Sequence, residues 1–260
     1  MKKTIKDQLG REIEFSYPPN SIVSTVPSQT ELLFDLGLED NITGITWFCI
    51  HPEDKVKNVA KIGGTKNMKI KVIRQLKPDL IIANKEENEK AQIEELSKEF
   101  PVWVSDIKTL DDSFSMMKSI GEITLTEEKA DLKISEIQSA FKEIKPLKSL
   151  KTLYLIWRKP YMSIGNQTFI HHILTKCGLI NVCGETERYP EITDEEIREL
   201  NPELILLSSE PYPFKDKHIE ELKVIVPNAK IMLVDGEMFS WYGSRLIKAA
   251  GYLKGFISSL

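Results

Sequence analysis

The segment IRQLKPDLIIA, Ile73–Ala83, returns as IRELNPELILL, Ile197–Leu207, 124 positions later. Each copy reads as the end of a helix, a proline turn and a buried strand. IEEL follows both, at Ile93–Leu96 and at Ile219–Leu222, so the two spacings differ by only two residues. A match of this length, in the same order and context, predicts two similar α/β lobes. The remaining chain fits. Short β-branched runs at 22–26, 42–46, 80–83, 102–105, 152–157, 204–207 and 230–234 alternate with helical patterns at 28–36, 70–76, 87–98, 168–177, 194–200, 217–222 and 242–257. This alternation is the pattern of parallel-rich sheets.

The expected fold class is α/β: two Rossmann-like lobes joined by one long backbone helix, with a ligand cleft between them. The helix is read at Thr126–Leu147, where Ala130, Ile134, Ile137, Phe141 and Ile144 form one apolar stripe and Pro146 stops it. At 1.5 Å per residue it would span about 30 Å. The lobes are drawn at 1–123 and 148–260, with the helix at 124–147.

In open parallel sheets ligands bind beyond the carboxyl ends of the strands. The residues at those ends carry far more than their share of the aromatic side chains: Trp47, Phe48, Tyr161, Tyr212, Phe214, Phe239, Trp241 and Tyr242. Broad rings with a polar edge suit a large, partly polar ligand, although packing in a core is the ordinary fate of such residues. Pro27 and Ser28 follow the first strand. Lys85, Arg158 and Arg245 are candidates to meet acidic or carbonyl groups, or else solvated rim residues. Gly165 and Asn166 precede an expected helix whose free N–H groups could take an anion or amide, although capping alone accounts for Asn166.

Other chemistry is thinly represented. With 39 acidic and 35 basic residues the net charge is -4, and no Lys/Arg run alternates with aromatics, which argues against nucleic acid. No apolar segment approaches the length of a membrane span. P-loop, GxGxxG, GxSxG and HExxH motifs are absent, so binding without catalysis, and without a covalently bound cofactor, is expected. Cys49, His51 and His172 are weak candidates for a bare metal ion, short of the four ligands a closed site wants. Cys177 and Cys183 are read as free buried thiols, with pairing open in an oxidising compartment.

At these residues the sequence resembles the substrate-binding proteins of ABC importers for cobalamin and ferric siderophores, the class III, helical-backbone metal receptor type. SIVSTVPSQTELLFDLGLEDNITGIT, KIGGTKN, LKPDLIIA, YMSIGNQTFIHHILTKCGLINV and LNPELILLS occur in that family's order, and the cobalamin branch is the most similar. The resemblance implies a monomer that captures a corrinoid or ferric-siderophore chelate and docks on an ABC permease. It also implies an acidic docking residue on each lobe. Glu195 fits in the second lobe, whereas the repeat places Lys71 at the equivalent position of the first, where permease arginines would be repelled. The chain as given opens without the apolar stretch of an export signal. The expected location is therefore periplasmic or membrane-anchored outside the cytoplasm if a signal was removed, and cytoplasmic otherwise. The competing reading is a cytoplasmic corrinoid- or metal-complex-handling protein, or an enzyme component, uncoupled from any permease.

Overall fold

The computed structural model describes residues 1–147 and 149–260. Lys148, where the second lobe is expected to start, lies outside the described residues. The chain forms two compact units. One comprises Met1–Ile107, Asp111–Ile137 and Tyr242–Arg245; the other comprises Lys108–Leu110, Gln138–Trp241 and Leu246–Leu260. Relative to the sequence-drawn lobes, the connecting helix is divided between the units at Ile137 and Gln138, Lys108–Leu110 group with the second unit, and Tyr242–Arg245 group with the first.

The first unit begins with an antiparallel hairpin, β1 (Lys2–Lys6) and β2 (Glu12–Ser16), in register from Lys2 opposite Ser16 to Lys6 opposite Glu12. Its turn is held by Asp7, whose Oδ1 accepts from the N–H groups of Leu9 and Arg11. Then follow β3 (Ile22–Ser24), α1 (Pro27–Asp35), β4 (Ile42–Ile45), α2 (Glu53–Val56), β5 (Ala60–Lys61), α3 (Ile70–Leu76), β6 (Leu80–Asn84), α4 (Lys90–Leu96) and β7 (Val102–Ser105). The sheet runs β5-β4-β3-β6-β7, every pair parallel. Strands β3, β6 and β7 are buried at every residue, as parallel strands covered on both faces must be.

The helices α5 (Leu110–Thr124) and α6 (Glu127–Lys142) come next. No helix is expected at α5 from the sequence, because four residues of low helix propensity (Ser113, Ser115, Ser119 and Gly121) dilute its pattern. Its Met116, Met117, Ile120 and Ile123 are nonetheless fully buried. Gly121 sets the approach of α6, since a Cβ there would lie 2.9 Å from the Cβ of Ala130. The expected connecting helix is shorter than its stripe suggests. It ends at Lys142, about 24 Å from its start. Pro146 has no N–H to give the Lys142 carbonyl and its ring crowds that group.

The second unit contains β8 (Leu150–Trp157), β9 (Tyr161–Ser163), α7 (Phe169–Lys176), β10 (Leu179–Asn181), β11 (Glu191–Ile192), α8 (Asp194–Leu200), β12 (Leu204–Ser208), α9 (Asp216–Ile225), β13 (Lys230–Val234), α10 (Glu237–Ser240) and α11 (Leu246–Ser258). Its sheet is ordered β11-β9-β8-β12-β13, with β10 also on β8. β8 pairs in parallel with β12 and β10, β12 with β13; the short β9 and β11 run antiparallel.

The repeat is structural. α3 and α8, and β6 and β12, coincide residue for residue at the offset of 124. The two helices also end alike, Lys77 and Asn201 both left-handed with φ of 47° and 43°, each before a proline. Matching positions fill matching cores. Ile73, Ile81, Ala83 and Leu96 pack in the first unit as Ile197, Ile205, Leu207 and Leu222 do in the second.

Candidate ligand-binding loops

In the first unit, the carboxyl end of β4 leads directly into Trp47 and Phe48, which are 52 % and 57 % exposed. Such exposure is unusual for rings of this size. Lys69 places its Nζ 4.8 Å from the centre of the Trp47 ring, a cation–π contact. The Trp47 N–H donates to the Gly63 carbonyl at 2.9 Å, which fixes where the ring leaves the sheet. After β6, the Asn84 side chain accepts from the N–H groups of Glu86 and Glu87 at 2.8 and 3.0 Å and so shapes the turn that exposes Lys85. Lys85 is itself bound to Asp106 at 2.6 Å.

Pro27 opens α1 as its first residue, a position where the missing N–H costs nothing. Ser28 beside it is buried. Tyr242 is buried against the hydroxyls of Ser28 and Ser105, and burial pushes its phenol well above the ordinary range. Arg245 departs from the expected ligand-facing cation. It is buried, its Nε donating to Glu31 at 2.7 Å, because a guanidinium sequestered in the unit needs a carboxylate.

In the second unit, Trp157 ends β8 at 42 % exposure and meets Tyr212 edge to face, with centroids 5.6 Å apart. Tyr212 is half-buried and packs in turn on Phe214 and His218, at 4.8 and 5.5 Å. Phe214 itself is part of the unit's core. Tyr161 opens β9 half-buried and interacts with Arg158, which is ion-paired to Glu221. Arg158, Tyr161, Asp194, Arg198, Glu221 and Val224 line part of an open cavity of about 590 Å³.

Phe239 is a core residue. It is wholly buried among Tyr154, Tyr252 and Phe256, at centroid distances of 5.3 to 6.2 Å. Trp241 is buried as well, and its Nε1–H donates to Glu210 Oε1 at 2.9 Å, where Ser240 Oγ also donates. Burial pushes the Glu210 carboxyl above the usual carboxylate range.

The expected anion-ready amides at Gly165 and Asn166 are already used. They donate to the carbonyls of Arg188 and Thr186 at 2.6 and 2.7 Å. A side chain at Gly165 would collide with the Thr186 carbonyl, so the glycine serves this strand-like approach. The α7 N-terminus is closed by Thr168, whose Oγ1 accepts from His171 N.

Cys49 is buried between the hydroxyls of Thr30 and Thr46, each 3.2 Å from its Sγ, and burial raises its thiol. Among the described residues no group of three His, Cys, Asp or Glu is placed to hold a metal, which leaves Cys49, His51 and His172 unassembled. Cys177 and Cys183 are free and buried, the former pushed up to about 12 by that burial. Trp157, Glu210 and His218 are the residues sequence reasoning missed. Only the first left a signal, as the last aromatic residue of an expected strand.

The two units, each with a parallel-rich α/β sheet, define the fold class, and comparison with known proteins gives the family. The family model described as periplasmic binding protein matches residues 22–224. The chain belongs to that family. It is 27 % identical to an uncharacterized ABC transporter substrate-binding lipoprotein, YvrC, of Bacillus subtilis, over 94 % of this chain and 82 % of that one. It is 22 % identical to the vitamin B12-binding protein of Pectobacterium carotovorum, over 93 % and 90 %. Among solved structures, the periplasmic catecholate-siderophore binding protein VctP of Vibrio cholerae superposes with a TM-score of 0.76 at 18 % identity, over the whole of both chains. Among the described residues no helix is long and apolar enough to cross a membrane.

Proposed function

We propose that the protein is the substrate-binding component of an ABC-type importer, working outside the cytoplasm, and that it captures a cobalamin-like corrinoid or a ferric-siderophore chelate without chemical change. The observation that carries this reading is the exposure of large rings at strand ends: Trp47 and Phe48 in one unit, and in the other Trp157, edge to face with the half-buried Tyr212. Exposed aromatics there offer contact area at small entropic cost. Lys85, Tyr161 and the edges of the rings supply polar contacts. Arg245, Phe239 and the Gly165 amide are left out of the ligand set, because each is used internally. Pro27, Ser28, Phe214, Trp241, Tyr242 and Asn166 act beneath it, holding the loops in shape.

The test is titration of Trp47→Ala and Trp157→Ala proteins with cyanocobalamin, hemin and a ferric catecholate. Each substitution removes about 1–3 kcal/mol of stacking, a loss of roughly 5- to 150-fold in affinity for the ligand that wild type binds. Unchanged affinity in both variants would sink the proposal.

Permease docking is assigned to the first turn of α8, at Glu195. At the equivalent turn of α3, residues 66–74 carry four cations and no acid, where 190–198 carry four carboxylates and one cation. A permease matching this protein therefore presents unlike charges to the two helices. That contrast also favours, as a second reading, a corrinoid- or metal-complex-handling protein uncoupled from a permease. Co-purification of a membrane permease with the protein would decide against the second reading.

A further inference from the structure

His218 is the third residue of α9, and its ring folds back over the helix start. Its Nδ1 accepts the Lys215 N–H at 2.8 Å, in the place where a glutamate would complete a capping box. A nitrogen that accepts from a backbone N–H carries no proton, so in the neutral ring the proton sits on Nε2. The ring is almost wholly buried, and burial holds its pKa below the usual histidine value, which keeps it neutral near pH 7. Of the charged groups around it, Glu221 favours the protonated ring while Arg158 and Lys217 oppose it.

Nε2 lies 3.3 Å from the Tyr212 hydroxyl. With its proton fixed there, His218 is the donor and Tyr212 Oη the acceptor. A phenol O–H lies near the plane of its ring and has two such orientations. With the His218 N–H donating to Oη, the phenol proton cannot also point at Nε2 and is left for another acceptor. Among the described residues the hydroxyl has no second polar partner. The Tyr212 ring meanwhile sits edge to face with the exposed Trp157.

We infer that Tyr212 meets the ligand as a hydrogen-bond donor, its proton aimed by the positioning residue His218, and that the site therefore selects ligands placing an acceptor oxygen (carbonyl, carboxylate or phosphate) against the Trp157–Tyr212 pair. The inference rests on the binding role proposed above. It assigns polarity to one contact. A ligand group that offers only donors there leaves the His218–Tyr212 chain without a terminus, and buried donors without acceptors are costly.

Two measurements test it. In the apo protein, ¹⁵N-resolved NMR of the imidazoles should find His218 as the Nε2–H tautomer with Nδ1 accepting. Calorimetry with cyanocobalamin, hemin and a ferric catecholate should then show Tyr212→Phe weakening the bound probe about tenfold. His218→Asn, which can keep the acceptor for Lys215 but has no donor in reach of Tyr212, should match it. His218→Gln, whose amide reaches the Nε2 position, should recover to within about threefold of wild type. The Nδ1–H tautomer, or a Tyr212→Phe affinity equal to wild type, would overturn the inference. So would a charge-transfer absorption band that a ferric probe gains with wild type and loses with Tyr212→Phe, since Tyr212 would then be a metal ligand. If wild type binds none of the three probes, the binding role itself fails and this inference with it.

Discussion

Glu31 and Arg245 lie 214 positions apart and form a buried pair, 7 % and 4 % exposed, within the first unit. Cutting one partner out leaves a charge in a poorly solvating site, at a cost of about 3–5 kcal/mol. Glu31→Leu should destabilise the protein by that amount in urea unfolding, and Glu31→Leu with Arg245→Met should restore much of it. Glu210 gives a pH signature of the opposite kind. Burial raises its folded pKa above the unfolded one, so its contribution is full below the ordinary carboxylate value and is lost as pH rises through the folded value. Glu210→Gln should therefore gain stability relative to wild type as pH rises from 4 toward 7, read by urea midpoints across about that range. Neither role was visible in the sequence. A strand-end arginine looks the same whether it faces a ligand or a carboxylate two hundred residues away. Phe239 was misleading for the same reason: its core partners come from distant elements, Tyr154 from β8 and Tyr252 and Phe256 from α11.

Among the elements, the two copies of the repeat differ most at their helix starts. α8 opens on a capping box, Glu196 N–H to Thr193 Oγ1 at 3.2 Å and Thr193 N–H to Glu196 Oε2 at 2.7 Å. α3 has no side-chain cap. Thr193→Ala should cost about 1 kcal/mol, and amide exchange in the first turn of α8 should then rise toward that of α3. Equal exchange in wild type and variant would deny the cap its role. These helices and strands were the most readable part of the chain, with α3, α8, β7 and β13 falling at the expected limits, because proline turns and β-branched runs punctuate them. The hairpin β1–β2 and α5 were not readable. The hairpin turn depends on Asp7 side-chain bonds, and α5 carries too many small polar residues for its periodicity to stand out.

For the whole molecule, the two-lobe α/β fold could be read because it is written twice: the offset of 124 survives as equal helices, equal strands and matching cores. The strand-end loops were readable as places where aromatics gather, but not in the surroundings of each ring. Topology puts aromatics at strand ends, while tertiary neighbours decide which stay exposed, as Trp47 and Trp157 do, and which are buried, as Phe239 and Trp241 are. The central claim is that those exposed rings receive a large metal chelate. Calorimetric titration of the apo protein with cyanocobalamin, hemin and ferric siderophores tests it most directly. The account predicts saturable one-to-one binding of one of them with a Kd in the micromolar range or tighter, about -8 kcal/mol or better. Absence of heat from every one of these ligands, with the protein folded, would contradict it.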